Sequence, residues 1–181
     1  MPDLASRWEI TRLRREHDRG HFDCGEPALA EFLRRFARQN DEKGISRTFV
    51  ATRPSSVVVV GYYCVRSGAV SFDALTDEER RRLPRYPVPV VHLARLAVDR
   101  TERGRGLGES LLMHCFERTL RVSEEIGVRA IEVQAKDQAA RGFYGRYGFK
   151  SLLDDVQHMY LSIDVIRTAF APEPRRAREP K

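Results

Sequence analysis

The chain has 181 residues, 41% of them hydrophobic and 32% charged, which is the length and composition of one globular domain. No stretch approaches the about 20 apolar residues that span a bilayer, and no basic region followed by an apolar core opens the chain, so neither a membrane segment nor a secretory signal is expected and the cytoplasm is the expected location. The net charge of +6, carried mainly by arginine, favours anionic partners, and three cysteines (Cys24, Cys64 and Cys115) with no CxxC spacing argue against a disulfide framework.

Leu29, Phe32, Leu33, Phe36 and Ala37 recur at helical spacing and predict a helix over residues 27–40, closed near Gly44, with Arg34, Arg35 and Arg38 on its outer face. Two strand-like runs, 47–52 and 57–65, read as a hairpin joined through Arg53-Pro54-Ser55-Ser56. Thr76-Asp77-Glu78-Glu79 fits a capping box for a short helix ending near Leu83-Pro84, and a strand follows over 88–98. After a run of glycines, Leu107, Leu111, Leu112, Phe116, Leu120 and Ile126 mark a long amphipathic helix that Gly127 is expected to stop. Residues 128–135 alternate as a strand, 137–147 read as a helix, and Gly148-Phe149 opens the last strands. The order strand, glycine loop, helix, strand is a βαβ unit inside an α+β pattern. One domain is expected over 1–170, with 171–181 a disordered basic tail.

Arg103-Gly104-Arg105-Gly106-Leu107-Gly108 stands where a strand meets a helix. Unpaired N–H groups and the helix dipole favour a phosphate there, and glycine lets it approach the backbone. A dinucleotide fingerprint requires glycine where the chain has Glu109, and a P-loop requires a lysine that is missing, so neither nucleotide motif fits. His17, His21 and Cys24 lack a fourth ligand, and no metal is expected.

The spacing Arg103-x-x-Gly106-x-Gly108 does resemble the signature of the GNAT acetyltransferases. So do the strand Leu93-Ala94-Arg95-Leu96-Ala97-Val98-Asp99 before it and the segment Ala140 to Phe149, with its Phe143-Tyr144 pair, after it. The resemblance implies a GNAT fold, an α/β/α arrangement with a mixed central sheet splayed around acetyl-CoA and helices on both faces. It implies that N–H groups of Arg103, Gly104, Arg105, Gly106, Leu107 and Gly108 bind the pyrophosphate, and that Leu96, Ala97 and Val98 line the pantetheine arm. Thioester chemistry needs a proton for the departing thiolate, which a tyrosine supplies when protonated. Tyr144 and Tyr147 are the two choices, and the resemblance places the general acid at Tyr144. No general base stands out, although Glu132 lies on the strand after the long helix, and Asp137 departs from the family's asparagine.

Over roughly residues 13–163 the chain is similar to one branch of that family, the TacT-like toxins of type II toxin–antitoxin systems. Phe22-Asp23-Cys24-Gly25, Ser46 to Ala51, Gly61-Tyr62-Tyr63 and Leu83 to Pro89 carry the likeness. It implies acetylation of the α-amino group of aminoacyl-tRNA, which blocks translation. It also implies a homodimer and a ribbon–helix–helix antitoxin, with operator DNA bound only through that antitoxin. Arg34, Arg35 and Arg38, together with Arg80, Arg81, Arg82 and Arg85, form two basic clusters suited to RNA phosphates. Two alternatives stand beside this one: an N-acetyltransferase of a small amine or protein terminus, and a non-catalytic acyl-CoA-binding regulatory module.

Overall fold

The computed structural model describes residues 7–170; the tail expected to be disordered lies outside the described residues. Seven strands form one sheet in the order β1-β2-β3-β4-β5-β7-β6. They are β1 (Glu9–Arg12), β2 (Arg47–Thr52), β3 (Val59–Val70), β4 (Val88–Val98), β5 (Ala130–Gln134), β6 (Lys150–Ser151) and β7 (His158–Ser162). Only β4 and β5 run parallel; every other neighbouring pair is antiparallel.

The β2–β3 hairpin turns through Arg53 to Ser56, with Ser56 N–H on the Arg53 carbonyl and Ser55 at φ 60. Strand β3 runs on to Val70, five residues past its expected end. Arg66-Ser67-Gly68 looks like a turn in isolation, but residues 88–92 of β4 pair with this stretch and hold it extended. Pro89 is tolerated because it stands at the mouth of the β4–β5 ladder, which starts at Val90; there its carbonyl accepts from Arg129 N–H at 2.8 Å and no donor is asked of its nitrogen.

The expected helix over 27–40 is broken into α1 (Pro27–Glu31), a π turn (Phe32–Phe36) and α2 (Ala37–Glu42). A π turn inserts a residue and rotates the rest of the helix, so Phe32, Leu33 and Ala37 are buried while Phe36 stays 43% exposed. Gly44, at φ 72, lets the chain leave α2 for β2. Buried Asp41 ties α2 to the sheet by accepting from Arg12 Nε at 3.2 Å and Thr48 N–H at 3.1 Å. Together α1, the π turn and α2 cover one face, packing Ala30, Phe32, Leu33 and Ala37 on Val50, Tyr62, Cys64 and Ala97.

The other face carries α4 (Leu107–Glu125), which buries Leu107, Leu111, Leu112, Cys115 and Phe116. Beside it lies α6 (Ile163–Phe170), a helix with no expected counterpart, burying Ile163 and Ile166. Two expected end signals act otherwise than read. Helix α4 ends because Ile126 turns extended, and Gly127 keeps an ordinary φ. Thr76 stands at the start of α3 (Asp77–Arg80), but its side chain makes no capping bond.

Gly61 sets how closely α4 approaches the sheet. A Cβ there would lie 2.9 Å from Leu107 Cδ2 and 3.2 Å from Leu111 Cδ1. Gly61→Val is therefore expected to cost about 1–3 kcal/mol by overpacking. In a domain of this size that lowers Tm by roughly 2–4 °C per kcal/mol, which a thermal melt reads directly.

Candidate active site

Residues 90–93 of β4 lie against 130–133 of β5, and there the parallel ladder ends while β4 continues to Val98. A bulge marks the parting: Leu93 faces Val65 and Arg95 faces Cys64, so Ala94 has no partner across β3. From Ala94 onward the β4 edge facing away from β3 pairs with no strand. The open edge contains Leu96, Ala97 and Val98, and it can accept an extended ligand as an added strand. Ligands of open α/β sheets collect at such a point, beyond the carboxyl ends of parallel strands.

The chain leaves this edge through Asp99. Burial works to raise the Asp99 carboxyl, but hydrogen bonds from Asp23 N–H and Thr101 outweigh it and hold the carboxyl below the usual range. One 3-10 turn (Arg100–Glu102) follows. Glu102, 1% exposed, accepts from Arg53 Nε at 2.7 Å and has Arg105 Nη1 at 3.8 Å. The Arg103 side chain donates to the Cys24 carbonyl at 2.6 Å, bracing the loop against the segment before α1. With the Arg103 and Arg105 side chains drawn toward these partners, the loop presents mostly backbone.

Gly104 and Gly106 sit at φ 70 and 89, where a Cβ is strained. No side chain caps α4, and Ser110 N–H is the first to reach an acceptor in the helix, the Gly106 carbonyl. The N–H groups of Leu107, Gly108 and Glu109 therefore lack helical acceptors. Gly108 lies beside Val98 and Phe143, joining loop, β4 edge and α5 (Gln138–Arg146) in one wall. An open edge ending at an uncapped, glycine-bordered helix start fits an extended arm that terminates in phosphates.

Tyr144 follows Phe143 on α5. Its ring packs edge-on against Phe143 and Phe149 at 5.2 and 5.4 Å, and the residue is 7% exposed. Burial, with Cys115 nearby, pushes its hydroxyl well above the ordinary phenol range. Among the described residues that hydroxyl bonds to nothing, yet it is not sealed from solvent. Tyr147 is half-buried against Phe143 at 5.2 Å. Asp137, the departure from the family's asparagine, caps α5 by accepting from Ala140 N–H at 2.8 Å. Burial pushes the Cys115 thiol up to about 12, leaving it unreactive.

The arginine clusters divide. Arg34 donates to the Phe22 carbonyl at 3.2 Å, while Arg35 and Arg38 pair with Glu31 at 2.8 Å and Glu42 at 3.1 Å. Arg80 bonds to the Phe72 carbonyl at 3.3 Å. Arg81, Arg82 and Arg85 are exposed and, among the described residues, unpaired, beside exposed Tyr86. Two further cations were not singled out from sequence. Arg95, with no ion pair among the described residues, lies 3.7 Å over the Phe32 ring, and exposed Arg66 stands opposite His92. Neither belongs to a sequence cluster; strand pairing alone brings them to the face under α1 and α2. His17 Nδ1 accepts from Arg14 N–H at 2.9 Å and the Cys24 thiol donates to the Glu26 carbonyl, so two of the three residues weighed as metal ligands have partners in the fold.

The family model for an acetyltransferase (GNAT) domain matches residues 44–151. A tRNA-acetylating toxin of Mycobacterium tuberculosis (strain ATCC 25618 / H37Rv) is 43% identical over 140 residues, 77% of this chain and 82% of that protein. A crystal structure of a tyrosine-to-phenylalanine mutant of KacT superposes with TM-score 0.86 at 26% identity, covering 91% of this chain and 99% of that one. AtaT complexed with acetyl-methionyl-tRNAfMet does so with TM-score 0.85 at 27% identity, covering 90% and 99%. Related structures show AtaTR bound with acetyl-CoA, AtaT bound to the C-terminus of the antitoxin AtaR, and a KacTA–DNA complex. With the splayed strands, the open helix start and these likenesses in one molecule, the chain belongs to the GNAT acetyltransferase family, in its branch of TacT-like toxins.

Proposed function

We propose that this chain is a toxin that transfers an acetyl group from acetyl-CoA to the α-amino group of aminoacyl-tRNA, halting translation. The observation that carries the reading is the unpaired β4 edge running into the uncapped start of α4, with Tyr144, its hydroxyl unbonded among the described residues, packed on Phe143, which lies beside Gly108. Bound acetyl-CoA supplies the activated acetyl thioester. The N–H groups of 104–108 hold its phosphates, that of Arg103, also expected there, being turned to the Arg100 carbonyl at 3.5 Å, and Leu96, Ala97 and Val98 align its arm along β4. Tyr144, protonated at any working pH because burial raises it, donates to the departing thiolate.

The choice of an aminoacyl-tRNA amine rests on the 43% likeness to a tRNA-acetylating toxin and on the unpaired Arg81, Arg82 and Arg85. Of the seven arginines expected to meet tRNA, these three offer the strongest phosphate contacts, since Arg34, Arg35, Arg38 and Arg80 already hold partners. A homodimer, held in check by a ribbon–helix–helix antitoxin that alone contacts operator DNA, completes the reading. It draws support from AtaT bound to AtaR and from the KacTA–DNA complex. The site of action is the cytoplasm, where charged tRNA is found; no described helix is long and apolar enough to cross a membrane.

The test incubates the protein with acetyl-CoA and a panel of charged tRNAs, then weighs the released amino acids. An N-acetylated amino acid is expected from at least one tRNA. Replacing Arg81, Arg82 and Arg85 together by serine is expected to lower tRNA affinity and to flatten its salt dependence by about one logarithmic unit of slope per lost phosphate contact. No acetylated product from any tRNA would refute the reading. Unchanged tRNA affinity and salt slope in the triple variant would remove these three arginines from the tRNA contact.

A further inference from the structure

The β4–β5 register sets His92 beside Glu132, and the β5–β7 register sets Gln134 opposite His158. Their side chains meet on one face. His92 Nδ1 lies 2.5 Å from Glu132 Oε2, and Glu132 Oε1 lies 2.6 Å from His158 Nε2. His158 Nδ1 in turn lies 2.8 Å from Asp154 Oδ2. The three inner side chains are 16%, 13% and 16% exposed.

Polar groups in the interior are satisfied by protein partners or by water. In this row a protein group closes the outer end alone, at Asp154. At the inner end His92 Nε2 has no partner among the described residues and is not sealed from solvent. That end is one residue short of Leu93–Val133, the last pair before β4 and β5 part.

The charges along the row fix its protons. Burial works against charge on His158, but hydrogen bonds to Asp154 and Glu132 prevail and raise it above the ordinary histidine range. Burial works against charge on Glu132 as well, and the bonds from His92 and His158 prevail and hold it below the usual carboxylate range. Glu132 is thus an anion that accepts from Nδ1–H of His92, an arrangement that in the neutral ring puts the lone pair on Nε2. Other charged or titratable groups facing His92 are Arg66 opposite on β3, Arg95 farther along β4, and Tyr160, the β7 partner of Glu132.

We propose that His92 Nε2 accepts the proton of the attacking amine, with Glu132 and His158 as positioning residues. The inference rests on the amine-acetyltransferase reading above. As the amine nitrogen forms its bond to the carbonyl carbon it yields one proton to Nε2. The C–S bond breaks, and the sulfur takes the Tyr144 hydroxyl proton. Solvent then returns the imidazolium proton to the Tyr144 oxygen, so one proton moves in all, from nitrogen to sulfur. The sequence hid this row because His92, Glu132 and His158 lie on three strands with no shared motif.

The experiment compares the wild type with His92→Ala, His92→Gln and Glu132→Gln, following transfer to charged tRNA from pH 6 to 9 (roughly the range in which histidine and α-amines titrate). Calorimetry of acetyl-CoA binding, thermal melts and 15N NMR of the ligand-free protein accompany it. Expected are a fall in kcat of about 10²-fold for His92→Ala, partial rescue by added imidazole, unchanged acetyl-CoA affinity, and a smaller loss with an altered pH profile for Glu132→Gln. In the free wild type, NMR is expected to find the neutral His92 ring protonated at Nδ1. Folded His92 variants with the wild-type rate and pH profile, or a His92 ring protonated at Nε2, would overturn the inference. Should both His92 variants fail to fold, the wild-type tautomer and the Glu132→Gln profile decide it. A wild type that acetylates no amine refutes the functional reading itself and this inference with it.

Discussion

Tyr144→Phe is expected to lower the turnover of acetyl transfer by about 10²–10⁴-fold, the range that loss of a general acid produces, while acetyl-CoA still binds. The variant removes one oxygen and little else. The ring keeps its edge-on contacts with Phe143 and Phe149, and the hydroxyl holds no protein hydrogen bond that would be lost among the described residues. Thermal stability should therefore be unchanged. Because burial keeps the hydroxyl protonated, the wild-type rate should not fall at alkaline pH through loss of this proton below the range where free phenols ionise, about 10. Single-turnover assays with acetyl-CoA and a charged tRNA, beside calorimetric titration of acetyl-CoA, separate the two quantities. A variant that keeps turnover within a few-fold of wild type would remove Tyr144 from the proton path.

Gly106→Val is expected to produce the opposite signature, a rise in KM and Kd for acetyl-CoA of about tenfold or more, with a smaller effect on kcat. At φ 89 the glycine holds a left-handed turn just ahead of α4. A residue with a Cβ pays roughly 1–2 kcal/mol there, and 1.4 kcal/mol is a factor of ten in affinity. The chain relieves the strain by moving the loop, which misaims the N–H groups of Leu107, Gly108 and Glu109 from their shared target. Valine adds bulk where a phosphate must approach the backbone. Arg103→Ala is the informative companion. Its guanidinium is bound to the Cys24 carbonyl, so its loss should loosen the loop and lower Tm rather than delete a phosphate contact. If Gly106→Val binds acetyl-CoA as the wild type does, the phosphates are held elsewhere.

Local pattern alone determined a good deal about this protein. Periodicity marked α4, the β2–β3 hairpin and β4, because each satisfies its own hydrogen bonds or alternation within one contiguous run. The glycine loop was legible for the same reason: positive φ and an uncapped helix start are properties of a few neighbouring residues. Tyr144 was legible through a local motif, although only packing revealed that its hydroxyl is unpaired and raised by burial. Short or composite elements were not. Strand β1 has four residues and forms only because β2 offers it an edge, and the π turn replaces a helix whose spacing looked regular. Tertiary structure also decided which arginines are free, since a cation's availability depends on whether a carboxylate or carbonyl lies within reach. It decided as well that His92, Glu132 and His158, which share no motif, form one row ending at the splayed strands. Helical faces and turns are set by residues a few positions apart, whereas charge pairing and proton transfer depend on distances that only strand register across the sheet brings below 3 Å.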